Sequence, residues 1–245
     1  MCLIVFAWQV VPGVPLIAAA NRDEFYAREA APAGPWPDHP RIFAGRDLKA
    51  GGSWMGVTQG EGSPSRFAAI TNIRAPQDHK DDAPSRGHLV ADFLAGDMSP
   101  QAYVDRIRDG AAAYNGFNLV VGDRDSLVWY SNKGESDPRN GEPLAPGIYG
   151  LSNALLDSPW PKVLKTKAQF ASLLCLGAPD DAYFEMLSDT TRAPDMRLPE
   201  TGVPLEVERM LSAVRIESAA YGTRSSTVVK LYTDTPAVLH EMQIQ

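Results

Sequence analysis

The chain opens with Cys2-Leu3-Ile4-Val5-Phe6-Ala7-Trp8-Gln9, then Val11-Pro12-Gly13-Val14-Pro15, then Leu16-Ile17-Ala18-Ala19-Ala20. The outer two runs are almost wholly apolar, and the middle one is turn chemistry. Strands with a wet face alternate apolar and polar residues. These do not, so they predict a hairpin buried on both faces. Asn21-Arg22-Asp23-Glu24 follows directly, and four polar residues are expected to break the second strand. From 27 to 40, Pro and small residues dominate and predict an irregular loop.

Further along, Gly51-Gly52-Ser53-Trp54-Met55-Gly56-Val57 and residues 66–73 read as strands, with 60–65 as their loop and 77–85 as a charged loop. Ser85 is placed to cap a helix over 86–94 that ends near Gly96. Ser99 followed by Pro100 starts a second helix, expected to reach about Ala113. Residues 117–121 and 127–131 flank Gly122-Asp123-Arg124-Asp125, a hairpin signal. A strand over 148–153, a helix over 161–176, shorter helices over 182–187 and 204–214, and a hairpin of 227–233 with 238–244 complete the pattern. Strands pair at both ends with most helices between them, which predicts an α+β fold on antiparallel sheet. No repeat or linker divides the 245 residues, so one domain over 1–245 is expected.

Composition narrows the function. At 44% hydrophobic and 22% charged residues the chain is globular rather than disordered. The net charge of −7 supplies no basic face for phosphates, which argues against nucleic acid and an anionic membrane surface as partners. Two cysteines make no disulfide framework. No apolar run reaches bilayer length, the first basic residue is Arg22, and no lipidation motif ends the chain, so a cytoplasmic location is expected. The pattern leaves the oligomeric state open.

Cys2 is the candidate nucleophile. If the initiator Met1 is removed, a thiol and a free α-amine sit on one residue, and an amine titrating near neutrality can take the thiol proton. Antiparallel pairing brings Asn21-Arg22-Asp23-Glu24 close to Cys2. There a carboxylate can orient the ammonium, and a guanidinium can lower the thiol pKa. The competing reading is a solvated turn with a local salt bridge.

Met1-Cys2-Leu3-Ile4 with Asn21-Arg22-Asp23-Glu24-Phe25 resembles the NRDE family, the homologues of transport and Golgi organization protein 2. Ala50-Gly51-Gly52-Ser53-Trp54-Met55-Gly56, Thr71-Asn72-Ile73-Arg74, Ser85-Arg86-Gly87, Gly150-Leu151-Ser152-Asn153, Ser158-Pro159-Trp160-Pro161-Lys162 and Tyr221-Gly222-Thr223-Arg224-Ser225-Ser226-Thr227 extend the likeness over nearly the whole chain. That family is in turn similar to N-terminal nucleophile (Ntn) hydrolases of the penicillin V acylase and bile salt hydrolase group. The resemblance implies an αββα sandwich of two antiparallel sheets between helical layers. In that group the Cys2 nucleophile is followed by Arg-Asn-x-Asp. Asn21 and Asp23 match, whereas Ala20 stands in the arginine's place and the arginine is Arg22.

The resemblance further implies that Asn153 serves an oxyanion hole. Asn72, at a strand end, is a second donor candidate, and Arg224, entering the last hairpin, is a candidate to hold the site electropositive; ordinary turn chemistry for the two Asn and a salt bridge for the Arg are the competing readings. The implied reaction is hydrolysis of a linear amide or another acyl bond, thioesters included, without a cofactor. The alternative it carries is a carrier or chaperone on the same fold that binds haem, acyl-CoA or lipid, with no covalent step. Asp78-His79-Lys80-Asp81-Asp82 reads as a solvated turn. His39, His79, His88 and His240 lack zinc spacing. Cys175 reads as a buried core residue. No Gly-rich phosphate loop and no haem-attachment motif occurs.

Overall fold

A computed structural model describes residues 2–59 and 65–244. The opening hairpin is its centre. Strand β1 (Cys2–Val11) pairs antiparallel with β2 (Val14–Phe25), with Cys2 opposite Arg22 and Trp8 opposite Leu16. Gly13 takes the left-handed φ of +75° that the tight turn requires. The second strand does not stop at Ala20. It runs on through Asn21, Arg22 and Asp23, all buried, because β1 on one side and the last long strand on the other satisfy their backbone. The polar quartet is therefore a strand end, buried but for the half-exposed Glu24, and not a solvated turn.

Sheet order is β11-β10-β2-β1-β9, with β9 (Gly147–Leu151), β10 (Tyr221–Leu231) and β11 (Val238–Gln243). A second sheet has the order β3-β4-β5-β6-β7-β8, from β3 (Ala30–Trp36), β4 (His39–Asp47), β5 (Met55–Thr58), β6 (Phe67–Asn72), β7 (Phe117–Gly122) and β8 (Leu127–Ser131). All pairings are antiparallel. The loop expected over 27–40 is instead largely β3, its turn and the start of β4. Pro32 and Pro35 are tolerated because β3 is an edge strand, where a missing N–H costs no ladder bond, and the register slips beside them.

Strand alternation sorts the side chains into layers. Ile4, Phe6, Trp8, Leu16, Ala18 and Ala20 meet Met55, Val57, Phe67 and Trp129 between the sheets. Leu3, Val5, Ala7, Ile17 and Ala19 face the other way, against Val163 and Phe170 of α3 (Pro161–Leu176) and Tyr183 and Leu187 of α4 (Asp180–Leu187). The outer face of the six-stranded sheet packs on α1 (Gly87–Ala95) and α2 (Pro100–Arg108). The result is four layers, helices on sheet on sheet on helices, as the resemblance implied. Helix α5 (Leu205–Leu211) packs with Ile216 and Tyr221.

Several boundaries differ from expectation. Arg86, not Ser85, is the N-cap of α1, without a side-chain cap. Ser99 does cap α2, through its hydroxyl and the Ala102 N–H, but α2 ends at Arg108. Cys175 is exposed, because it lies on the solvent side of α3. The expected loop over 60–65 lies, apart from Ser65, outside the described residues, as does Met1. Among the described residues no helix is long and apolar enough to cross a membrane.

Candidate functional site

The pleat that builds the layers also divides the polar quartet. Directly opposed residues of an antiparallel pair project to one face, so Cys2 and Arg22 share the face between the sheets. Asn21 and Asp23 take the opposite face, under the helices. The two halves have different partners.

On the inter-sheet side, Cys2 and Arg22 open onto a cavity of about 410 Å³ that also touches Trp54, Asn72 and Arg86. The Arg22 guanidinium stacks over the Trp54 ring at 4.1 Å, and Arg22 is only 6% exposed. Arg86 donates to the Gly116 carbonyl at 3.0 Å. Arg28, on the rim, is paired with Asp47 at 2.6 Å. His79, Lys80 and Asp81 form part of the wall, so the turn expected to be merely solvated borders this cavity. Burial pushes the Cys2 thiol up, and Arg22 and the Asp23 backbone N–H oppose that rise. Burial likewise pulls the Arg22 guanidinium down, with Cys2 the strongest group acting against it.

On the helix side, Asn21 donates to the carbonyls of Leu187 (2.8 Å) and Val214 (2.9 Å) and accepts from the Ser226 hydroxyl (2.6 Å). Its amide is fully committed to holding the helical layer. Asp23 is fully buried and accepts from the Thr223 hydroxyl at 2.7 Å. Burial pushes its carboxyl up, and Lys162 is the strongest opposing group.

The later candidates fall around this centre. Asn72 ends β6 and touches the Cys2 cavity, while its carbonyl accepts from Asn153 Nδ2 at 2.9 Å. Asn153 follows β9. The Ser152 hydroxyl links it to the Cys2 carbonyl, lying 3.0 Å from that carbonyl and 3.2 Å from Asn153 Oδ1. Asn153 borders a second trough of about 940 Å³ with Ile73, Leu155 and Trp160. The Asn72–Asn153 bond therefore lies where the polar cavity meets the larger, more apolar one. Arg224 sits at the register shift between Thr223 and Ser225. Its Nη1 donates to the carbonyls of Phe25, Tyr26 and Arg28, clamping the chain as it leaves β2. It does not line the Cys2 cavity.

Sequence reasoning missed a second buried group behind Asp23. Arg74 pairs with Glu208 at 2.6 Å, both nearly inaccessible, and lies over the Trp160 ring at 4.7 Å. Lys162 is 3% exposed, and burial pulls its ammonium down to about 8. The Tyr221 phenol is held well above its ordinary range, chiefly by burial. Arg74, Lys162 and Tyr221 all stand in the quoted motifs, Thr-Asn-Ile-Arg, Ser-Pro-Trp-Pro-Lys and Tyr-Gly-Thr-Arg. The signal was there, but nothing in the spacing showed that they converge.

Fold and site together define a four-layer α+β protein whose first strand presents a buried cysteine beside a buried arginine. The chain belongs to the Transport and Golgi organisation 2 family, whose pattern matches residues 1–245. It is 36% identical to the Bos taurus transport and Golgi organization protein 2 homologue, over 96% of this chain and 90% of that protein. To the Homo sapiens homologue it is 35% identical, over 96% and 90%. Among solved structures, the Caenorhabditis elegans N-acylethanolamine-hydrolyzing acid amidase orthologue aligns at a TM-score of 0.46 and 13% identity, over 98% of this chain and all of that one.

Proposed function

We propose that the chain is an Ntn-type hydrolase acting on a linear amide or another acyl bond, with Cys2 as nucleophile after removal of Met1. The observation that carries this reading is the register of Cys2 against Arg22. It sets the thiol and a buried guanidinium on one face, at the mouth of a polar cavity.

The α-amine of Cys2 takes the thiol proton, and the sulfur attacks the acyl carbon. Arg22 stabilises the thiolate that burial would otherwise disfavour. Asp23, adjacent on β2, orients the amine. The oxyanion is met by the Asn72 side chain and by the second amide N–H of Asn153, whose first is spent on the Asn72 carbonyl. Collapse breaks the bond to the leaving group, which takes its proton from the ammonium. Water then attacks the Cys2 thioester and gives a proton back to the amine. The carboxylic acid leaves and the thiol is restored. Arg224 contributes by fixing the end of β2 that carries Arg22 and Asp23.

Intact mass after exposure to an acyl donor tests this. Loss of Met1 and a Cys2 adduct are expected, and Cys2→Ala and Cys2→Ser should both abolish turnover while ligand binding persists. Protein that keeps Met1 yet turns over as fast as processed protein would refute the mechanism. If Cys2→Ala binds and delivers haem, acyl-CoA or lipid as the parent does, with turnover in neither, the protein is a carrier.

A further inference from the structure

The cavity beside Cys2 holds a second guanidinium that the thiol does not use. Arg22 stands opposite Cys2 in register on the five-stranded sheet and is 6% exposed. Arg86 borders the same cavity from the N-cap of α1, which packs on the six-stranded sheet. Its Nη1 donates to the Gly116 carbonyl at 3.0 Å, and its other N–H groups make no hydrogen bond among the described residues. The acids around the cavity point their charge elsewhere. Asp47 is bound to Arg28 at 2.6 Å, Asp81 lies 3.5 Å from His79, Glu24 accepts from the Phe25 N–H at 2.8 Å, and Asp23 accepts from the Thr223 hydroxyl at 2.7 Å. Among the described residues none of them is within ion-pair distance of Arg22 or Arg86. Burial pulls the Arg86 guanidinium down, with Glu24 the strongest group acting against it. A guanidinium drawn away from water without a counter-ion is unfavourable, so an anion in the cavity would be stabilised there.

Two glycine-containing motifs that the Cys2 chemistry leaves unused build this arrangement. In Gly51-Gly52-Ser53-Trp54 and Ser85-Arg86-Gly87 the chain meets itself backbone to backbone. A Cβ on Gly52 would fall 2.3 Å from the Gly87 carbonyl carbon, and the Ser53 N–H donates to the Gly87 carbonyl at 3.1 Å. That contact seats the first turn of α1, and Arg86 with it, against the strap that leads into Trp54. The Trp54 ring in turn rests on Gly45, where a Cβ would meet its Cη2 at 2.3 Å, and carries the Arg22 guanidinium at 4.1 Å. Both guanidiniums are thus fixed on one cavity by parts of two different sheets. Ser85, Arg86 and Gly87 all border it, and no side chain caps the nine-residue α1, so the positive end of the helix adds to the same field. A planar guanidinium fork matches the paired oxygens of a carboxylate or a phosphate.

We propose that Arg86 is a ligand-recognition residue: at the uncapped start of α1, and sharing the cavity with Arg22 and Trp54, it binds a carboxylate or phosphate group carried by the molecule that the Cys2 cavity receives. Arg22 stays with the thiol, and Arg86 reads the ligand. The proposal does not depend on the hydrolase reading, because a carrier would hold its ligand by the same contact.

Two alkylating agents of nearly equal size test this on the whole chain without any turnover. Iodoacetate carries a carboxylate and iodoacetamide does not, so the ratio of their rates at Cys2 reports anion recognition while changes in thiolate fraction cancel. Exposed Cys175, followed in the same samples by peptide mass spectrometry, is the internal reference. The net charge of −7 disfavours iodoacetate over the surface at large. The iodoacetate-to-iodoacetamide ratio should nevertheless be roughly tenfold higher at Cys2 than at Cys175, the effect of one charge-assisted contact. In Arg86→Gln that excess should be lost, with the Cys175 ratio unmoved. Potassium phosphate and potassium acetate, compared at equal ionic strength, then name the group. Protection of Cys2 from iodoacetamide by phosphate alone assigns a phosphate, protection by acetate alone assigns a carboxylate, and protection by both assigns a site that takes either. If Arg86→Gln does not fold, the parent ratio and the protection decide. A ratio at Cys2 no higher than at Cys175, an excess that survives in folded Arg86→Gln, or protection by neither anion overturns the proposal.

Discussion

Replacing Asn21 by Ala should cost stability rather than chemistry, although Asn21 stands beside the reacting residues in sequence. Its amide makes three buried hydrogen bonds, to Leu187 O, Val214 O and Ser226 Oγ. Leu187 is the last residue of α4, so its carbonyl is an unpaired helix end without that amide. Truncation strands two carbonyls and a hydroxyl in a site closed to water. A stranded buried group costs about 1–3 kcal/mol. Allowing for non-additive neighbours and partial relaxation, the total is roughly 3–6 kcal/mol. That is a large share of the ~5–15 kcal/mol that stabilises a folded domain. At about 2–4 °C per kcal/mol for a chain of this size, Tm should fall by roughly 6–24 °C. Urea and thermal unfolding followed by circular dichroism measure the loss. Asn21→Asp should be at least as damaging, since its carboxylate would face both carbonyls. Alkylation of Cys2 by iodoacetamide, well below the lowered Tm and with exposed Cys175 replaced by Ser, should stay within about threefold of the parent, a shift under 1 kcal/mol. A stability loss under about 1 kcal/mol, or collapse of Cys2 reactivity in a folded Asn21→Ala protein, would refute this division of the quartet.

Two further outcomes follow from the packing behind the site. Lys162 has a folded pKa depressed to about 8 against an ordinary 10.5, so the unfolded chain binds more protons between those values and stability should rise with pH across them. The gain is roughly 3 kcal/mol at 1.36 kcal/mol per unit, read as the difference between parent and Lys162→Met unfolding curves, and equal pH slopes in the two would contradict it. Gly150→Ala should destabilise by about 1–3 kcal/mol, because its Cβ collides with Val163 Cγ1, and adding Val163→Ala should restore part of the loss. Strict additivity of the two changes would show that this contact is not the cause.

How much of this was legible in the sequence depended on whether the signal was local. The opening hairpin, the 161–176 helix and the Ser99-Pro100 start of α2 were readable because apolar runs, turn residues and a cap act over a few positions. Strand β3 was hidden because Pro32 and Pro35 argue against pairing unless the strand is known to be an edge, and edges are properties of the sheet. Cys175 was misplaced for a related reason: which side of α3 faces water depends on the sheet beneath it. The candidate site shows the same limit. Cys2, Arg22 and Asp23 could be grouped from the hairpin alone, but which of them stands opposite Cys2 could not, because the register shifts between Trp8 and Val11. Lys162, Arg74 and Glu208 could not, because a first helical turn, a strand exit and a distant short helix meet only after four layers have stacked. The pleat then gives the quartet a meaning its linear spelling lacks. With a period of two, Asn21 and Asp23 must face the helices when Arg22 faces the cavity. A one-residue slip of β2 would send Arg22 under α3 beside Lys162 and turn Asp23 into the cavity, setting two buried cations together. The shift between Trp8 and Val11 thus sets the register on which the Cys2–Arg22 pairing depends.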